Sequence, residues 1–209
     1  LIITEKNQLK PDFDIYHPYE DEQDIYERES LLKNKDINLN DITETIESNN
    51  INDNIVLTSI DKIKPDIILT VGTGLIRSPL IELCPSGFIN LHGGDPQYYR
   101  GLDSFLWAIY HKDFSKLIVT LHMLNIGLDD GEIIQQSLIK LHNDMKIFQL
   151  RSENIKICLN LVITSIALYE INGKFISDPQ IQRGRYYSFM PSPLKEICVN
   201  NFNKYVKKL

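Results

Sequence analysis

Two short apolar runs that end in polar residues and glycines constrain the fold of this chain most. Ile67–Val71 follows a proline and leads directly into Gly72, and Phe88–His92 leads into a loop with two glycines. Continuous apolar runs of this length, bounded by proline or glycine, are typical of buried parallel strands. Because side chains alternate along a strand, Asn90 and His92 are predicted to share one face.

Helical patterns alternate with strand patterns along the rest of the chain. Further strands are predicted at Leu1–Thr4 and Leu117–Leu124, and helices at Asp21–Lys33, near Asp41–Glu47, at Ser59–Lys64, from Ser78 to Leu83, at Leu102–His111 and at Asp144–Ile171. We therefore predict an α/β fold with a mainly parallel sheet flanked by helices. Ligands of such sheets bind beyond the carboxyl ends of the strands, where this order also places the turn at Asp129.

Composition narrows the class of protein. The chain has 209 residues, of which 43% are hydrophobic and 24% charged, as in a globular domain. No apolar run approaches the roughly 20 residues that span a bilayer. Residues 1–60 carry a balance of −9 and the remainder +3, which argues against a nucleic-acid surface at the start. Three scattered cysteines indicate reduced thiols and a cytoplasmic location, and the start at Leu1 suggests a longer gene product.

Asn90 and His92 are candidates for a catalytic site. An asparagine amide can donate to a developing oxyanion, and a histidine can take or pass a proton near neutral pH. A carboxylate is then needed to orient the imidazole and stabilise its cation. Asp129 is the candidate, although Asp129–Gly131 also has the composition of a simple turn.

Two other motifs have weaker interpretations. Gly72–Gly74 is not a dinucleotide fingerprint, because Arg77 occupies the third glycine position, so it is either a tight turn or a wall against a flat ligand. A metal site can be assembled from a few side chains, but no tight ligand spacing supports it: His92, His122, Asp95 and Asp129.

Several motifs in order resemble a known family. Between Asn90 and Gln136 they are Asn90-Leu91-His92, Tyr99-Arg100-Gly101, Val119-Thr120-Leu121-His122 and Leu128-Asp129-Asp130-Gly131-Glu132-Ile133. In this order and spacing they resemble the formyltransferases that use N10-formyltetrahydrofolate, which act on methionyl-tRNA, glycinamide ribonucleotide or nucleotide sugars. The resemblance is strongest over about residues 60–140 and looser elsewhere.

The resemblance implies a Rossmann-like formyltransferase core over residues 1–142, completed by a long helix and a C-terminal extension over residues 143–209. The family's first strand and helix would precede Leu1. The implied catalytic residues are Asn90, His92 and Asp129. The implied folate site consists of Gly72, Thr73, Gly74, Leu75, Ile76, Leu128 and Asp130, and the implied substrate site of Gly93, Gly94, Asp95, Tyr99, Arg100 and Gly101.

The C-terminal part looks most like that of the small nucleotide-sugar N-formyltransferases, notably Gln180–Phe189 and Pro191–Lys195. The expected acceptor is therefore an amine of a nucleotide-linked sugar, such as a dTDP-amino-dideoxyhexose. Its diphosphate would meet basic side chains: Arg100, Arg183, Arg185 and Lys195. Gly93–Gln97 departs from the family's Pro-Ser-Leu-Leu-Pro loop, so acceptor choice is expected to depend on it. We expect a homodimer. We expect no metal, nucleic-acid or membrane partner.

Three alternatives stay open. The acceptor could be another small amine, such as glycinamide ribonucleotide. The chain could be a non-catalytic folate- or nucleotide-binding remnant, because of the altered loop and the missing start. It could also be a metal-dependent hydrolase built on His92 and His122.

Overall fold

The computed structural model describes residues 1–7 and 9–209. Its strands are β1 (Ile2–Glu5), β2 (Thr45–Ser48), β3 (Ile68–Val71), β4 (Phe88–His92), β5 (Tyr99–Gly101), β6 (Ile118–Met123), β7 (Ile133–Leu138) and β8 (Arg185–Tyr187). Its α-helices are α1 (Tyr19–Ser30), α2 (Asn54–Ile63), α3 (Ser78–Ile81), α4 (Ser104–Tyr110), α5 (Leu150–Asn172) and α6 (Ser192–Val206).

The strands of the described residues form three sheets. The largest has the order β3-β4-β6-β7, and the pairs β1-β2 and β5-β8 stand beside it. The pairings β1-β2, β3-β4 and β5-β8 are parallel, whereas β4-β6 and β6-β7 are antiparallel. The predicted α/β class, with parallel strands flanked by helices, is confirmed. The antiparallel part of the largest sheet consists of β4, β6 and β7.

Two apolar clusters hold these layers together. The larger one joins β4 and β6 to α4, α5 and α6, and its fully buried members include Ile89, Ile109, Leu121 and Phe202. The smaller one packs α2 and α3 against Phe88. Both clusters meet at β4, which is buried on both faces and is therefore a rigid base for its polar residues.

Two local predictions were wrong. The segment near Asp41–Glu47 was predicted as a helix, but it is a 3₁₀ turn at Leu39–Asp41 followed by β2. β3 was predicted to be buried, yet Leu69 is 42% and Val71 64% exposed. The structure explains the second error, because β3 is the edge strand of its sheet and only the face with Ile68 and Thr70 points into the protein.

The C-terminal part packs onto the core. Leu150 and Leu161 of α5, and Cys198 and Phe202 of α6, belong to the larger apolar cluster. By length and composition alone, the helical stretch from Ile147 to Asn172 would also pass as a membrane-crossing helix, and 11% of its apolar window is buried. One such helix is weak evidence of a membrane span. The division of the chain at residue 142 stays a prediction.

Candidate active site

The three predicted catalytic side chains lie together at one cavity. Asn90 and His92 project from β4, and Asp129 lies in the turn between β6 and β7. All three line a cavity of about 680 Å³ that extends to α1, α4 and α5. The spacing of Asn90 and His92 thus does bring both side chains to one opening, as the alternation along a strand predicts.

Asn90 is held between its two neighbours across the sheet. In the strand register it faces Thr70 on one side and His122 on the other. The Thr70 hydroxyl donates to Asn90 Oδ1 at 2.8 Å, and Asn90 Nδ2 lies 3.1 Å from His122 Nε2. His122 Nδ1 lies 2.8 Å from the Met123 carbonyl and therefore carries the proton, so Nε2 accepts from Asn90. One amide hydrogen of Asn90 remains for a ligand.

His92 is held by a backbone carbonyl. Its Nε2 lies 2.9 Å from the Tyr99 carbonyl oxygen, which can only accept, so Nε2 carries a proton. Nδ1 then bears the lone pair in the neutral ring, and it lies 3.6 Å from Asp129 Oδ2. Burial lowers the pKa of His92, while the nearby carboxylate of Asp129 raises it. The imidazole is thus neutral at rest and can take a proton on the side that faces Asp129.

Asp129 remains charged although it is largely buried. Burial raises the pKa of its carboxyl group, but His122, His92 and the Gly101 N–H together hold that pKa below its usual value. The Gly101 N–H donates to Oδ2 at 2.8 Å, and His122 Nε2 lies 3.7 Å from Oδ1. A carboxylate at this place stabilises a positive charge on His92.

The predicted folate residues form one wall of the cavity. Gly72–Leu75 and Leu128 line it, and a second cavity of about 60 Å³ shares Thr73–Leu75 and Leu128 and adds Ile76. Two contacts hold this wall, one from the end of β1 and one from the turn between β2 and α2. Glu5 Oε2 accepts from the Gly74 N–H at 2.8 Å, and Asn52 Nδ2 donates to the Leu75 carbonyl at 2.9 Å. Asp130 points away, into an ion pair with Arg100.

The predicted substrate residues divide into two groups. Gly93 and Gly101 line the cavity. The others lie behind its wall in the protein interior: Gly94, Asp95, Tyr99 and Arg100. The Asp95 carboxylate forms an ion pair with the Lys116 ammonium group at 3.2 Å, so it already has a partner within the protein. Their assignment to the substrate stays a prediction.

The basic side chains suggested for a diphosphate are also dispersed. Arg183 and Arg185 are exposed near β8. Lys195 is buried, and its ammonium group lies 2.7 Å from Glu20 Oε1. Arg100 is 3% exposed and already has protein partners.

Sequence reasoning missed two residues that orient the site. Thr70 was treated only as part of an apolar strand. His122 was considered as a metal ligand and as part of a family motif, but not as a residue that orients Asn90. Each is the next-to-last residue of its strand. These positions carried a signal, since Thr70 and His122 become direct neighbours of Asn90 once the strands pair. Among the described residues, no group of three or more His, Cys, Asp or Glu side chains is arranged to hold a metal ion.

Comparison with known proteins agrees with this geometry. The family model described as "Formyl transferase" matches residues 2–154. The chain belongs to the formyl transferase family. The methionyl-tRNA formyltransferase of Ruminiclostridium cellulolyticum is 26% identical over 151 residues, which are 72% of this chain and 47% of that protein. The chain thus spans about half the length of the curated relatives it matches.

Solved structures include two sugar formyltransferases. PseJ from Anoxybacillus kamchatkensis, in complex with UDP-4,6-dideoxy-4-formamido-L-AltNAc and tetrahydrofolate, is 25% identical with a TM-score of 0.57, over 71% of this chain and 76% of that one. WlaRD, a sugar 3N-formyl transferase crystallised with dTDP and 5-N-formyl-THF, is 21% identical with a TM-score of 0.51, over 76% of this chain and 53% of that one. The second likeness concerns the fold alone.

Proposed function

We propose that the chain is the catalytic part of an enzyme that transfers the formyl group of N10-formyltetrahydrofolate to the amine of a nucleotide-linked amino sugar. The observation that carries this proposal is the cluster of Asn90, His92 and Asp129 at one cavity. It combines an amide donor, a neutral imidazole and a charged carboxylate, which are the groups that acyl transfer to an amine requires.

The reaction steps follow from the hydrogen-bonding positions that the protein leaves open on these side chains, which are one amide hydrogen of Asn90 and the lone pair on His92 Nδ1. The acceptor amine attacks the formyl carbon, a new C–N bond forms, and the bond from that carbon to the folate N10 breaks. The free amide hydrogen of Asn90 stabilises the negative charge that develops on the formyl oxygen. His92 takes the amine proton on Nδ1 and passes a proton to the leaving nitrogen, while Asp129 stabilises the imidazolium.

The residues at the folate wall fit a flat, partly apolar ligand. Leu75 and Leu128 are 57% and 38% exposed, although both line the openings beside the catalytic residues. Exposed leucines beside a cavity are typical of a ligand surface. A Cβ added at Gly72 would meet no atom within 4 Å, so the main chain there is open to close approach.

Two features support a nucleotide sugar as the acceptor. The cavity is large and continues past His92 to Asn154 on α5 and to Tyr186 on β8. Tyr186 is 59% exposed, so its ring is free to stack on a base. PseJ, whose structure contains a UDP-sugar, provides independent support. A dTDP carrier is the first choice, as the C-terminal sequence suggests.

A panel of acceptors tests the proposal. The protein is incubated with N10-formyltetrahydrofolate and one amine at a time, and released tetrahydrofolate is measured. The amines are dTDP-4-amino, dTDP-3-amino and UDP-4-amino sugars, glycinamide ribonucleotide and methionyl-tRNA. We expect release with at least one amino sugar and none with the His92→Ala variant. Release only with glycinamide ribonucleotide or methionyl-tRNA would refute the proposed acceptor.

Methionyl-tRNA is the second candidate acceptor, because the curated relatives such as that of R. cellulolyticum carry this name. The acidic first 60 residues, with a balance of −9, disfavour a polyanionic partner at that surface. A homodimer, a cytoplasmic location and the absence of a membrane partner stay predictions.

A further inference from the structure

The buried side chain of Arg100 connects three parts of the protein. Its Nε donates to the Pro96 carbonyl at 2.8 Å. One terminal nitrogen forms the ion pair with Asp130 and lies 3.3 Å from the Leu128 carbonyl. The other donates to Gln180 Oε1 at 2.7 Å. The guanidinium therefore joins β5 to the turn that carries the catalytic carboxylate and to the segment after α5.

Gln180 completes this connection with its amide group. Nε2 donates to the carbonyl of Asp129 at 2.9 Å and to that of Gly131 at 2.8 Å. Both amide hydrogens and the amide oxygen are thus used. Gln180 lies outside residues 2–154, which the family model matches, so the C-terminal segment itself contacts the catalytic turn.

The turn needs such support because its backbone is strained. Asp129 has φ 48°, in the left-handed region that costs a residue with a side chain about 1 kcal/mol. A Cβ at Gly131 would lie 1.5 Å from the Met123 carbonyl oxygen, so the turn is also closely packed. At 3.6 Å, the Asp129 carboxylate is too far from His92 Nδ1 for a hydrogen bond that would fix it.

We propose that Gln180, acting with Arg100, is a positioning residue that holds Asp129 beside His92. A glutamine suits this role because it offers one acceptor to the guanidinium and two donors to the carbonyls. A glutamate would keep the contact to Arg100 but would lose both donors to the turn. The kinetic part of this inference rests on the proposed function, whereas the position of Asp129 does not.

The surrounding contacts allow a clean test. The segment is anchored on one side of Gln180 by the two backbone hydrogen bonds between Ile133 and Asp178, at 2.8 and 2.9 Å. On the other side, the Ile181 N–H donates to Gln97 at 3.0 Å. Gln180→Met keeps the length of the side chain and leaves these anchors in place. Gln182→Met is the matched control, because Gln182 is exposed and donates only to the Gln97 carbonyl in the described residues.

The main measurement is the NMR titration of the His92 imidazole, which needs no substrate. The titratable groups that face His92 are Asp129, His122 and Asp95, and of these Asp129 depends on Gln180. Because the Asp129 carboxylate raises the pKa of His92, Gln180→Met and Gln180→Glu should both lower that pKa. Gln182→Met should leave it unchanged.

The second measurement is the kinetics of formyl transfer with the acceptor found in the panel. We expect kcat to fall roughly tenfold or more in both Gln180 variants, with KM for the acceptor little changed, because small displacements of a catalytic group are costly. An unchanged His92 titration in both folded variants would overturn the proposal, even if their melting temperatures fall. If no acceptor is found, the proposed function fails while the titration still decides this inference.

Discussion

The charge of Asp129 is the part of the site whose effect can be calculated most directly. Asp129→Asn keeps the size of the side chain and an acceptor for the Gly101 N–H, but it removes a charge 3.6 Å from His92 Nδ1. Two unit charges about 4 Å apart interact by about 4 kcal/mol at an effective dielectric constant of about 20. Since about 1.4 kcal/mol corresponds to a factor of ten, removing the charge can slow the reaction by at most about 10³-fold. We expect kcat to fall about 100-fold, because only part of the charge has developed in the transition state.

The pH dependence of kcat/KM provides an independent test, because the structure predicts the direction in which it shifts in Asp129→Asn. Burial lowers the pKa of His92 and Asp129 raises it, so removing the carboxylate lowers that pKa further. In the proposed mechanism His92 acts in its neutral form, and we therefore expect kcat/KM to rise as the pH increases through this pKa. In Asp129→Asn the rise should move to lower pH although the plateau is lower.

The assay is tetrahydrofolate release with the acceptor found in the panel, measured from pH 5 to pH 9. Glu132→Gln is the control, because it makes the same change in the same turn at a carboxylate whose described partner is Ser177. A plateau for Asp129→Asn within about threefold of the wild type, with an unshifted pH profile, would refute the reasoning.

Three further predictions concern the support of the site. Thr70→Val removes the 2.8 Å donor to Asn90 Oδ1 and should lower kcat about tenfold, whereas Thr70→Ser should retain most activity in the same assay. Gly94→Ala places a Cβ 2.7 Å from His92 Nε2 and 2.6 Å from Ser104 Cβ, and it should abolish turnover in the same assay and lower the melting temperature. Because folding lowers the pKa of His92, the free energy of unfolding should fall as the pH decreases below about 6.5, the unfolded value, and urea titrations of His92→Gln should show a flatter dependence.

The grouping of the proposed catalytic residues at one cavity was predictable because local sequence encodes it. Asn90 and His92 are two residues apart on an apolar run, so alternation alone places them together. The Asp129 turn follows a recognisable strand, and its left-handed φ suits the Asp-Asp-Gly composition. The α/β class followed from the order of strand and helix patterns for the same reason.

What could not be predicted depends on contacts between distant segments. The β2 strand has a mostly polar sequence in which Ile46 is the one apolar residue. Its extended form depends on pairing with β1, which lies 43 positions away in the register Ile2 to Thr45. Arg100 and Gln180 are 80 residues apart, and their hydrogen bond exists only after the C-terminal segment packs beside the catalytic turn. The exposure of β3 likewise depends on its place at the sheet edge, which periodicity does not reveal.

The most direct test of the account follows the formyl carbon itself. N10-[¹³C]formyltetrahydrofolate is mixed with excess wild-type protein and an amino-sugar nucleotide, and the sugar product is analysed by mass spectrometry and ¹³C NMR. The account predicts one labelled formamide per tetrahydrofolate released with the wild type, and no labelled formamide with His92→Ala. Labelled product at equal rates from both proteins, or none from the wild type with any amine, would contradict it.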